Sequence, residues 1–175
     1  MASCGERSGG HPPSATRRYR LSVAAWEERV ERRSHSPKDY LDAARSHDAE
    51  AELLAGLATT PYDFVQEAVA EHPNATATVL LAVMPVELRN WGHHALMRKA
   101  VQHPAADDAV FALAHHRVAQ ALTNGQRPYG VAIALARRGA LTAQDVEALG
   151  RLPGASARLR HGLRRTLLTH PGSVV

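Results

Sequence analysis

Eleven histidines come first in any search for chemistry, because imidazole serves as metal ligand and as general base. Two pairs are adjacent, His93-His94 and His115-His116. Neighbours on a helix point about 100° apart, so neither pair can close on one ion from one face. No HxxxH or HExxH spacing occurs that would align two rings. His72, His103 and His170 each precede a proline, at breaks where a ring can hydrogen-bond exposed backbone. The histidines therefore read as structural, and no metal or other cofactor is expected.

Nucleophiles are equally sparse. The single cysteine, Cys4, lies in a Gly/Ser-rich start, with no partner for a disulfide or a CxxC pair. No serine sits in a GxSxG elbow. Asp107-Asp108 follow a His-Pro step, and there carboxylates favour the positive end of a helix dipole. Gly9-Gly10 belong to the leader and Gly125 to a turn, so no glycine-rich phosphate loop exists. An enzyme is not expected.

Arginine is the suggestive residue. From position 148 onward there are five, Arg151, Arg158, Arg160, Arg164 and Arg165, and no acid. Arg151, Arg158 and Arg165 recur every seventh residue, and Arg160 and Arg164 form a neighbouring row with His161 between. Leu159, Leu163 and Leu167, with Ala155 nearby, form the opposite stripe. Residues 154–168 thus read as a basic amphipathic helix. Such a face either caps an array with a polar surface or contacts nucleic acid, an acidic protein or an anionic surface. Trp91, in the irregular run Leu88-Arg-Asn-Trp-Gly-His-His94, reads as a packing or surface-contact residue. These five arginines and Trp91 are the candidate binding surface.

Charge is unevenly distributed along the chain. Residues 1–20 carry Arg7, Arg17, Arg18 and Arg20 against Glu6. Residues 34–90 carry nine acids against Lys38, Arg45 and Arg89. The total of +4 therefore conceals a basic end and an acidic middle. If the chain stacks in sequence order, the acidic 34–90 stretch and the arginine-rich C-terminal end present opposite potentials.

Composition bounds the scaffold. Hydrophobic residues make up 45% and charged residues 22%, values of a soluble globular protein. Aromatics are only 5% and the apolar content is mainly Ala, Leu and Val, which suits close helix packing and not a sheet. No apolar run reaches the roughly 18 residues of a membrane span. The start lacks the apolar core of a secretory signal, so a cytoplasmic setting is expected. The Ala and Arg content fits a bacterial genome of high GC content.

Residues 1–16 read as a disordered leader, residues 17–170 as one helical domain and 171–175 as a tail. A helix is expected from about Tyr19, with Leu21, Val23, Ala24 and Val30 as its apolar stripe and Trp26 at the edge. Ser36-Pro37, Thr60-Pro61 and Met84-Pro85 read as N-cap followed by the first helical residue. Thr142 with Asp145 reads as a capping box. The segments between are only about 8–15 residues, too short to be stable alone.

Those segments repeat. Ala68-Val-Ala-Glu-His-Pro-Asn-Ala-Thr-Ala-Thr-Val-Leu80 parallels Ala100-Val-Gln-His-Pro-Ala-Ala-Asp-Asp-Ala-Val-Phe111. Each His-Pro step ends one helix and leads, six residues after the proline, to a buried valine. Weaker copies are anchored at His47, Asn124, Leu152 and His170. The segment Phe64–Leu81, an Ala/Val helix, a His-Pro-Asn break and a Val-Leu helix, resembles the leucine-rich repeat variant family and its HEAT-like neighbours over about residues 40–168. The resemblance implies an α-solenoid of short helices wound into a right-handed superhelix. One founding type of that family adds an iron–sulfur cluster on a cysteine-rich segment; this chain lacks those cysteines, and the cofactor is not carried over. The spacing here is less even than that family's, most of all around Glu87–Ala95.

Together these features predict an all-α solenoid that works as a non-enzymatic interaction module, a protein–protein adaptor with no membrane segment. The alternative is a nucleic-acid-binding or DNA-repair protein on a HEAT-like scaffold using the arginine-rich C-terminal helix.

Overall fold

The sequence interrupts its own helices every few turns, and the interruptions fix the architecture. The computed structural model describes residues 36–169. The expected leader, Cys4, the helix near Tyr19 with Trp26, the His170-Pro171 step and the tail lie outside the described residues. Within them are nine α-helices and no strand: α1 (Pro37–Arg45), α2 (Ala51–Ala58), α3 (Asp63–Glu71), α4 (Ala77–Val83), α5 (Trp91–Gln102), α6 (Asp108–Thr123), α7 (Tyr129–Arg137), α8 (Ala143–Arg151) and α9 (Ala157–Thr169). The chain is all-α over this span. No helix among the described residues is long and apolar enough to cross a membrane.

Starts and stops follow local chemistry. Ser36 caps α1 with Pro37 in its first turn, and Asp39 completes a capping box. Thr142 and Asp145 form the expected box on α8. Asp107 accepts from the amides of Ala109 and Val110, so the Asp107-Asp108 pair opens α6 as anticipated. Two expected starts fail. Thr60-Pro61 does not open a helix; α3 begins at Asp63 after Tyr62. Met84 closes α4, and Pro85 leads into an irregular connection that lasts to Asn90, the N-cap of α5. Met84 is extended, as a residue before proline is; that conformation suits the end of one helix as well as the start of another, so the Pro step alone does not fix which. Trp91 is consequently the first residue of α5 and not part of an irregular run.

His72 and His103 end α3 and α5 with extended backbone, as a residue before proline should. Their prolines do not open the next helices, which are capped three residues later by Thr76 and Asp107. Both rings are buried and bond identically. The Nδ1 of His72 accepts from the Asn74 amide at 3.1 Å, so Nε2 carries the proton and donates to the Ser46 carbonyl at 2.9 Å. His103 accepts from the Ala105 amide at 3.1 Å and donates to the His72 carbonyl at 3.1 Å. The carbonyl that His72 meets belongs to Ser46, the C-cap of α1, and not to His47. Asn124 and Leu152 close the second helices of their pairs, α6 and α8, and so are not equivalent to His72 and His103.

Helix contacts run in two rows. In one, α1 packs on α3, α3 on α5, α5 on α7 and α7 on α9; in the other, α2 packs on α4 and α4 on α6. A continuous apolar cluster joins them. It is filled by fully buried leucines such as Leu54, Leu57, Leu80, Leu135 and Leu163, each contributing about 2 kcal/mol by leaving water. The alanines between them, Ala100, Ala114, Ala132 and Ala136 among others, let helix axes approach closely.

Candidate anion-binding groove

The row formed by α5, α7 and α9 carries a groove of about 1150 Å³. Its depth has a simple cause. The middle helix, α7, lines the groove with Gly130, Ile133 and the buried Ala134, while the flanking helices contribute longer side chains: Trp91, Arg98 and Gln102 from α5, Arg158, His161 and Arg165 from α9. On α5 those residues are spaced seven and four apart, and on α9 three and four apart, so each set shares a helical face. Arg137, at the end of α7, completes the lining. Gly162 keeps α9 close to α7: a Cβ there would meet Ile133 Cδ1 at 3.0 Å.

Tyr129 supplies part of one wall and is held in place. Its hydroxyl donates to the Gly154 carbonyl at 3.1 Å and accepts from the Ser156 amide at 3.2 Å. Ser156 in turn accepts from the Leu159 amide through its side chain, capping α9. The turn before it is locked because the Gly154 amide donates to the Leu122 carbonyl at 2.8 Å. A Cβ at Gly154 would fall 2.4 Å from the Gln126 carbonyl oxygen, so only glycine fits there.

Four guanidinium groups, Arg98, Arg137, Arg158 and Arg165, line the groove with no carboxylate. None of the four is ion-paired among the described residues; the cations that are paired, Arg89, Lys99 and Arg151, lie outside the lining. Lys99 shows the contrast one residue from Arg98. Burial works against its charge, but hydrogen bonds to Glu67 (2.5 Å) and Glu71 (3.0 Å) outweigh it and hold the ammonium above the usual lysine range. Lys99 thereby clamps α5 to α3. At the groove's rim Trp91 is 79% exposed and, among the described residues, stacks on no other ring.

Of the six residues singled out from sequence, the structure brings together Trp91, Arg158 and Arg165. Arg151 ends α8, a different helix from Arg158, Arg160, Arg164 and Arg165, and pairs with Glu147 at 2.5 Å; the turn at Leu152–Ser156 separates it from α9, so the seven-residue spacing does not put it on their face. Arg160 folds back, its Nη1 donating to the Ala155 carbonyl at 2.8 Å and its Cγ lying close to Gly150. Arg164 is exposed but does not line the groove. Sequence reasoning missed Arg98, Arg137 and Tyr129. One signal was available: Trp91, Arg98 and Gln102 fall on one face once α5 is known to start at Trp91.

Two further histidines serve the backbone. His93 and His94 bond the carbonyls of Glu87 and Leu88, at 2.7 and 3.2 Å, and so tie down the connection before α5. Among the described residues no group of three or more His, Cys, Asp or Glu is placed to hold a metal ion.

No protein-family model matches the chain, and neither a curated protein nor a solved structure does.

Proposed function

We propose that this chain is a non-enzymatic binding module, a short α-solenoid of degenerate repeats akin to the leucine-rich repeat variant and HEAT-like families, whose groove across α5, α7 and α9 receives an anionic macromolecule. The observation that carries the reading is four arginines that line one groove, with no ion pair and no lining carboxylate among the described residues. Cations that line a common groove without a carboxylate leave it open to an anion, which their charges attract. The repeat reading is supported by the helix contacts between alternate elements and by the matching bonds of His72 and His103.

A protein partner in this setting presents an acidic segment to the groove. Nucleic acid is the second reading, and the specific observation favouring it is the pair of aromatic rings, Trp91 and Tyr129, in the same lining.

The test compares two double variants with equal charge change, Arg158→Ala/Arg165→Ala in the groove and Arg160→Ala/Arg164→Ala outside it. Retention on immobilised heparin should fall sharply for the first pair and little for the second. Equal loss from both pairs would mean that overall charge, and not the groove, attracts anions, and the proposal would be wrong.

A further inference from the structure

Polyanions differ in what they offer besides charge. An acidic peptide satisfies guanidinium groups and leaves exposed rings without a matching face. A nucleic-acid duplex presents phosphates but keeps its bases stacked inside. A single strand offers both phosphates and free base faces, and aromatic side chains in a basic groove are how such strands are held without regard to sequence.

We infer that the groove binds single-stranded nucleic acid, with phosphates on Arg98, Arg137, Arg158 and Arg165 and a base stacked on Trp91; this rests on the anion-binding reading above. Three observations carry it. Trp91 stands open at the rim of the arginine-lined groove, where burying so large an apolar ring removes it from water. Tyr129 is already immobilised through its hydroxyl, so a base can stack on it with little ordering cost. The track is also bounded on one side: toward α3, Glu67 and Glu71 take up Lys99 and present carboxylates, and the arginines that line the groove itself are four.

That bound yields a number. Displacing counterions from about 4 phosphates of a single strand gives a slope of about −3 in log affinity against log salt. Affinity should then fall about 50-fold between roughly 50 and 200 mM salt.

The experiment uses the full chain carrying Trp26→Phe, which leaves Trp91 as the single indole. Three probes are titrated: a dT oligomer of about 12 nucleotides, within the range single-strand binding folds cover; a duplex of the same length; and poly-L-glutamate. The dT strand is expected to bind with the stated salt slope, to quench the Trp91 emission and to bind about tenfold tighter than either other probe. Arg158→Ala/Arg165→Ala should reduce the slope by about 1.4, and Trp91→Ala should weaken binding about tenfold with circular dichroism unchanged. Binding of dT without quenching, or a duplex bound as tightly as the strand, overturns the single-strand inference. Poly-L-glutamate bound in preference to dT overturns it too, while leaving the anion-binding reading intact. If none of the probes binds to the folded protein, both fall.

Discussion

The α1–α4 half and the groove across α5, α7 and α9 use their polar residues differently. In the first, almost every polar group noted is consumed by the fold: Asp39 closes a cap, the Asn74 side chain donates to the Ala49 carbonyl at 2.9 Å, and Glu67 and Glu71 hold Lys99. Its aromatic rings serve one another, Tyr40 and Phe64 lying 5.8 and 5.6 Å from Tyr62. In the second half Arg138 rests on the Phe111 ring at 5.5 Å, yet its neighbour Arg137 faces the groove with three other unpaired arginines and an open indole. Groups that a fold employs reveal little about partners. Groups that it assembles and leaves unsatisfied point outward.

Substitutions can break this division, and the largest effect should come from the turn that supports the groove. Gly154→Ala forces a methyl group against two backbone carbonyls and should cost about 3 kcal/mol, read as a lower denaturation midpoint together with lost anion binding. Next is His103→Ala, which leaves the His72 carbonyl and the Ala105 amide without their partner. A loss of about 2 kcal/mol is expected, with groove affinity intact once the protein is folded. If affinity falls in step with stability at this site, the two halves are not separable in the way described.

Smaller effects sharpen the picture. Thr142→Ala removes the side-chain acceptor for the Asp145 amide and should cost about 1 kcal/mol. Burial raises the Asp145 pKa, but the hydroxyl and amide of Thr142 outweigh that and hold it below its ordinary value of 3.8. The stability this carboxylate contributes is therefore complete above pH 3.8 and is lost as pH falls through the lower folded value. Asp145→Asn should flatten the pH dependence of the unfolding midpoint in that acid window, and an unchanged profile would assign the acid sensitivity elsewhere. Smallest of all, Arg151→Ala breaks only an exposed pair with Glu147 and should change stability by less than about 0.5 kcal/mol and binding hardly at all.

Much of the helical architecture was legible in the residues because it depends on local rules. Ser36-Pro37, Thr142 with Asp145, and the extended residues before Pro73 and Pro104 act over three or four positions, and the expectations drawn from them match the structure. Thr60-Pro61 and Met84-Pro85 misled because a proline both ends and begins helices, and tertiary packing decides which. The groove was only half visible. Arg158 and Arg165 sit seven apart on one helix, so periodicity groups them. Arg98 and Arg137 reach the same surface from two other helices, and only packing brings them there. Arg151 fits the arithmetic of the pattern but falls across a turn.

The bonds of His72 and His103 have a consequence for how this chain tolerates change in length. Ser46, His72 and His103 are separated by 26 and 31 residues, yet each histidine meets the carbonyl before it at nearly the same distance. The same imidazole bridge thus links the end of α1 to that of α3, and the end of α3 to that of α5, although the number of residues between differs. The longer of the two intervals contains the connection Pro85–Asn90, so extra length there is absorbed without altering the bridge that His103 makes.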